Sequence, residues 1–174
     1  MLFRKLKIVG LISLFFYLLG VNFTLAKVSN RLEFQLLFEK KEYKIGDPID
    51  IDFKLKNKGK DSVYVNKRFF VGSKESKPED REVYLQVIGP SGKELEPKET
   101  YDTGFPKTDY FVLLNPGEEA GLERKKNLKA YFDFEDPGKY KIIGVYQNVY
   151  GAEIGIDAFK EKIKSRPVTI RITE

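Results

Sequence analysis

Asp136-Pro137-Gly138-Lys139-Tyr140-Lys141-Ile142-Ile143-Gly144-Val145-Tyr146 is the stretch whose reading decides the fold. Proline fixes φ and glycine tolerates positive φ, so Asp136-Pro137-Gly138 reads as a tight turn. The residues after it read as a strand whose first inward side chain is Tyr140. On this reading Pro137, Gly138 and Tyr140 are structural residues, placed to close a corner.

The strand signal extends in both directions. In Ile49-Asp50-Ile51-Asp52-Phe53-Lys54-Leu55-Lys56, apolar and charged residues alternate without a break. A period of two sends Ile49, Ile51, Phe53 and Leu55 into a core and leaves the charges in water, which helical periodicity cannot do. Leu32, Phe34 and Leu36 alternate earlier, Val63 and Val65 bracket Tyr64, and Val83, Leu85 and Val87 share a face. Tyr110 to Leu114 runs into the turn Asn115-Pro116-Gly117. Leu128, Ala130, Phe132 and Phe134 alternate up to the corner, and Val168, Ile170 and Ile172 form a last strand after Pro167. Short strands punctuated by turns, with no long amphipathic helix, predict an all-β protein: a single antiparallel sandwich of about seven to nine strands. Three connections are long, at residues 67–81, 94–109 and 150–166. In the last, the spacing of Ile156, Phe159 and Ile163 suits a short helix on the sandwich edge.

The N-terminus reads as an export signal. Arg4, Lys5 and Lys7 precede the apolar residues 8–19, and Thr24-Leu25-Ala26 ends in a small residue at the expected cleavage position. The expected division is therefore a signal segment at 1–26 and a domain at 27–174. An uncleaved anchor is the alternative, since residues 8–26 approach the length of a bilayer span. Either way the expectation is a periplasmic or secreted protein, touching membrane only through that segment if it is retained. Three of the chain's 31 basic residues lie in it, leaving 28 against 26 acidic residues spread along the remainder. That balance predicts a solvated surface and no nucleic-acid binding.

Cysteine and histidine are both absent. An exported domain without cysteine holds no disulfides and cannot carry a lipid on a cleavage-site cysteine. Without histidine there is no Ser-His or Cys-His nucleophile pair, and the usual zinc, copper and haem ligands are missing. Carboxylate, lysine, tyrosine and hard-metal chemistry remain.

Several segments carry a family likeness. The Asp136–Tyr140 turn resembles the tyrosine corner of immunoglobulin-like sandwiches, in which the phenol hydroxyl bonds back to the corner backbone. Tyr43-Lys44-Ile45-Gly46-Asp47-Pro48-Ile49 and Leu55-Lys56-Asn57-Lys58-Gly59 resemble the first strands of bacterial exported immunoglobulin-like domains. Leu114-Asn115-Pro116-Gly117-Glu118 and Ser165-Arg166-Pro167-Val168-Thr169-Ile170 resemble the later segments of the same superfamily. The likeness covers most of residues 32–173 and implies a Greek-key topology. Its motifs specify turns and core positions and include no catalytic signature.

Asp50 and Asp52 share one strand face with Lys54 and Lys56, a solvated face with nothing to tune two carboxylates apart. Asp133, Glu135 and Asp136 are the metal candidate, carboxylates at a corner where backbone carbonyls could complete a calcium shell. Tyr64, Tyr84 and Tyr131 fall opposite the inward residues. Tyr150, Ile156, Phe159 and Ile163 mark the 150–166 connection as the expected contact surface, because scaffolds of this kind place function on long loops. The functional expectation is a non-catalytic exported domain that contacts an unidentified envelope or extracellular protein and uses no cofactor. The alternatives are a proteinase-inhibitor-like sandwich and a calcium-binding or carboxylate-dependent enzyme.

Overall fold

The computed structural model describes residues 31–98 and 107–174. The segment read as an export signal, and Tyr101 and Phe105 of the 94–109 connection, lie outside the described residues. Among those described, no helix is long and apolar enough to cross a membrane.

The protein is all-β. In chain order the strands are β1 (Leu32–Phe38), β2 (Glu42–Lys44), β3 (Asp50–Asn57), β4 (Val63–Asn66), β5 (Val71–Gly72) and β6 (Val83–Ile88). They continue with β7 (Phe111–Leu114), β8 (Glu119–Gly121), β9 (Lys126–Asn127), β10 (Gly138–Tyr146), β11 (Ile163–Lys164) and β12 (Val168–Thr173). The first sheet runs β1-β3-β8, with β9 also on β3. The second runs β2-β12-β10-β6-β5, with β11 also on β10, and β4 and β7 make a third, two-stranded sheet.

The alternation in β3 dictates its place. Ile49, Ile51, Phe53 and Leu55 are each at most 1% exposed, while Asp50, Asp52, Lys54 and Lys56 are half-buried on the opposite face. Each such buried side chain contributes about 1.5–3 kcal/mol relative to leaving it in water. Leu32, Phe34 and Leu36 of β1 meet them from the neighbouring strand, and Val83, Val87, Tyr140, Ile142, Tyr146, Ile170 and Ile172 close the same core from the second sheet. Phe34, Phe53, Phe69 and Tyr146 form a ring cluster at its centre, with centroids 5.8–6.4 Å apart. The sheets come close at Gly144, where a Cβ would stand 2.7 Å from a Leu36 methyl and 2.8 Å from the Phe34 ring. A larger residue there would have to displace those core side chains.

The corner is a compact turn. The Tyr140 hydroxyl donates to the Asp136 carbonyl at 2.8 Å, and its ring packs 5.0 Å from Phe134. Gly138 has φ of 144°, and a Cβ on it would meet Pro90 at 2.7 Å. Both conformation and space therefore require glycine after the exposed Pro137.

Three readings need correction. The segment from Leu128 to Phe134 is not a strand. Leu128–Ala130 is a 3-10 turn capped by the Asn127 side chain, which accepts from Lys129 N at 3.0 Å. Leu128, Phe132 and Phe134 are nevertheless buried, because coiled chain can deliver them inward as well as a strand can. No helix forms over 156–163: a 3-10 turn at Ala152–Ile154 and the short β11 stand instead. Gly151 and Gly155, with φ of 130° and 74°, bound that turn and keep it to three residues. The sheets are not wholly antiparallel, since β2 runs parallel to β12 and β5 parallel to β6. Of the three tyrosines set opposite inward residues, Tyr84 and Tyr131 are buried and Tyr64, 38% exposed, faces solvent. Tyr84 lies on the outer side of its sheet but is covered by Arg81, whose guanidinium carbon sits 4.5 Å from the ring centre.

Candidate functional site

At the end of the molecule away from the corner, two long connections meet over a buried polar cluster. Glu82, which heads β6, is wholly buried, and Arg68 is 4% exposed. One carboxylate oxygen of Glu82 forms an ion pair with Arg68 Nη2 at 2.6 Å and accepts from Asn66 Nδ2 at 3.1 Å. The other accepts from Arg68 Nε at 2.9 Å and from the Phe70 amide at 3.0 Å. Arg68 thus holds Glu82 through one hydrogen bond and a close ion pair, which offset part of the desolvation of both charges. Burial still pushes the Glu82 carboxyl above the usual carboxylate range, against the opposing pull of Arg68.

The cluster reaches both connections. Asn66 Nδ2 also donates to Asn148 Oδ1 at 3.1 Å, and Asn148 Nδ2 donates to the Tyr150 and Phe159 carbonyls at 2.7 and 3.2 Å. The Tyr146 hydroxyl donates to the Asn66 carbonyl at 3.0 Å, and complete burial drives its pKa upward. Tyr150 lays its ring 5.5 Å from the Arg68 guanidinium and donates its hydroxyl to the Glu79 carbonyl at 2.7 Å. The 67–81 and 147–162 connections are therefore tied to each other and to the core.

The chain bends into this cluster at Phe69, the one non-glycine residue with positive φ among those described, at 49°. The bend drops the Phe69 ring into the core while turning Arg68 and the Phe70 amide onto Glu82. A left-handed conformation for a bulky residue costs about 1–3 kcal/mol, offset here by both sets of contacts.

Beside the tied connections lies an exposed apolar pair. Tyr64 of β4 and Leu113 of β7 are direct cross-strand partners, 38% and 41% exposed. The Tyr64 backbone is bridged to Ala158, and its carbonyl accepts from the Phe159 amide at 2.8 Å, so the 147–162 connection runs along β4. Ile154, 40% exposed, stands on the 3-10 turn of the same connection.

The expected contact residues divide. Phe159 and Ile163 are core side chains, 5% and 7% exposed, and cannot form an accessible surface. Ile156 and Tyr150 are half-buried, and Tyr150 works as a strut between connections. The expected metal carboxylates do not converge: Asp133 pairs with Lys98 at 2.7 Å, and Asp136 offers its backbone carbonyl to Tyr140. Among the described residues no three acidic side chains are grouped to hold a metal ion. Asn66, Arg68, Glu82 and Asn148 were not foreseen. Their sequence signal is slight: a glutamate set directly against the apolar run of β6, and an arginine directly before Phe69-Phe70.

No family model matches the chain, and no curated protein does. Among solved structures it is similar to the sporulation control protein Spo0M from Bacillus subtilis, at 15% identity and a TM-score of 0.42, over 83% of this chain and 50% of that one. It is also similar to a β-glucosidase from Erythrobacter marinus, at 14% identity and a TM-score of 0.37, over 82% of this chain and 15% of that one. A third likeness is to a β-glucosidase from Listeria innocua in complex with glucose, at 16% identity and a TM-score of 0.35, over 82% and 16% of the two chains. The chain spans half or less of the length of each, and likenesses this distant carry no argument about the site.

Proposed function

We propose that this chain is an exported, non-catalytic immunoglobulin-like Greek-key domain that acts by protein–protein contact in the periplasm or at the cell envelope. The supporting observation is the exposed Tyr64–Leu113 pair beside a connection anchored by the Asn66–Arg68–Glu82–Asn148 cluster. A tyrosine offers large contact area for little lost side-chain freedom, and a pre-tied loop has little ordering left to lose on binding. The corner hydrogen bond of Tyr140 and the two sheets closing on one core support the immunoglobulin-like reading. The basic n-region and apolar stretch at the N-terminus support export.

The test places a photo-cross-linking amino acid at position 64 or 113 in the native host, with position 56 on the first sheet as control. One discrete protein adduct from 64 and 113, absent from 56, is the expected result. No adduct from either, or the same adducts from all three, removes this surface from consideration.

A further inference from the structure

The outer faces of the two main sheets carry charge in opposite ways. On the first sheet, register interleaves the signs: Lys56 of β3 stands between Glu33 of β1 and Glu119 of β8. Lys54 bonds Glu119 at 2.6 Å, and Lys125 pairs with Glu39 in the field of Asp50 and Asp52. On the second sheet, Lys139 of β10 stands directly opposite Arg171 of β12, and Lys141 follows Lys139 on the same face. Lys164 of β11 and Lys44 of β2 extend the set along neighbouring strands. All five cations are exposed, and none makes an ion pair among the described residues. Glu42, opposite Arg171 at the outer strand, and Glu94, bridged to Ile88 at the far margin, are the carboxylates placed on that face by register.

Like charges directly opposite each other destabilise a sheet. Strands lie about 4.8 Å apart and alternate residues about 6.7 Å apart, so Lys139, Lys141 and Arg171 form a tight triangle of positive charge. With five cations against Glu42 and Glu94, positive charge stays in excess on this face, a departure from local rules of the kind functional surfaces carry. The balance that looked spread along the sequence is segregated in space, because Lys139, Lys141 and Arg171 share a period-two phase on adjacent strands.

We propose that this face docks on an anionic lipid surface. Lysines and arginines beside anionic headgroups each add attraction that falls with salt. The aromatic ring that register places on this face, Tyr84, is covered by Arg81, so among the described residues the face offers bases nothing to stack on. A chain whose first 26 residues read as an export signal meets a membrane before any nucleic acid. The inference rests on the export reading and is independent of the Tyr64–Leu113 surface.

The test uses the full chain with vesicles of phosphatidylcholine alone, vesicles of two parts phosphatidylcholine to one part phosphatidylglycerol, and a single-stranded DNA oligonucleotide. Co-sedimentation reads binding, and acetylation followed by mass spectrometry reads which lysines are shielded. The expected result is preference for the phosphatidylglycerol vesicles, weakened by salt, with Lys139, Lys141 and Lys164 shielded and Lys56 open. Lys139→Gln, Lys141→Gln and Arg171→Gln together should lower that preference on the order of a hundredfold, while Lys56→Gln leaves it unchanged. Arg171→Gln alone should lower it about fivefold, which covers failure of the triple variant to fold. Equal binding to both vesicles, a preference surviving the triple variant, or tighter binding to the oligonucleotide overturns the proposal.

Discussion

The two ends of the molecule are fastened by different means. At the corner, Tyr140 reaches back four residues to the Asp136 carbonyl, one neutral hydrogen bond within a single turn. At the loop end, Glu82 gathers Arg68, Asn66 and Phe70, and Asn66 reaches across 80 and 82 residues to Tyr146 and Asn148. The local fastening can be removed at the cost of one bond. In the distant one each member satisfies another, and deleting one leaves a buried charge or dipole behind. The end carrying the candidate contact surface is thus the more cooperative of the two.

The sharpest test of that difference is Glu82→Ala, which removes the carboxylate facing the buried Arg68 charge. It should cost about 3–5 kcal/mol by urea unfolding. Replacing both partners, as Arg68→Met with Glu82→Leu, should recover most of the loss, because an apolar pair leaves no charge unanswered. If the double variant is no more stable than Glu82→Ala, the cluster is not held by charge pairing. At the corner, Gly138→Ala must accept a φ of 144° and a 2.7 Å approach to Pro90, and about 1–3 kcal/mol should go. Tyr140→Phe removes the corner bond alone and should lower stability by about 1 kcal/mol. A Tyr140→Phe loss equal to that of Glu82→Ala would erase the contrast between the ends.

The smallest effect is in the pH dependence, and it has a sign. Burial holds Glu82 above the usual carboxylate range, so the folded state keeps that proton more tightly than the unfolded chain. Its contribution is full below the unfolded value of about 4.3 and is lost as pH rises through the raised folded value. Glu39 and Glu119 are held low by Lys125 and Lys54. Their contribution is present above about 4.3 and lost as pH falls through the lowered values. Urea midpoints measured against pH should therefore show the native protein losing ground to the Arg68→Met, Glu82→Leu variant as pH rises above about 4.3. A native protein that gains on the variant over that interval would reverse the sign given to Glu82.

What the sequence disclosed follows from the range of each interaction. The period-two pattern of Ile49 to Lys56 announces its own burial, and the Asp136–Tyr140 turn carries its hydrogen-bond partner within five residues. The coil from Leu128 to Phe134 mimics a strand because alternating apolar residues are needed wherever alternate side chains point inward. Phe159 and Ile163 looked like a helix face since their apolar spacing does not say which neighbour covers them. Arg68 and Glu82 are ordinary surface residues by type, and only the Phe69 bend makes them partners. The opposed Lys139 and Arg171 were hidden because register, not composition, brings them together.

The bend at Phe69 has a further consequence. The Phe70 amide is bonded to a carboxylate with no solvent access, and the Phe70 carbonyl accepts from the Glu82 and Val83 amides at 3.0 and 2.9 Å. Because the neighbouring Phe69 ring is a member of the central cluster, this turn cannot open while the core stays closed. Amide hydrogen exchange at Phe70 should then run at the rate of global unfolding, although the residue belongs to a long connection between strands. In this protein the start of a surface loop belongs to the last region to exchange.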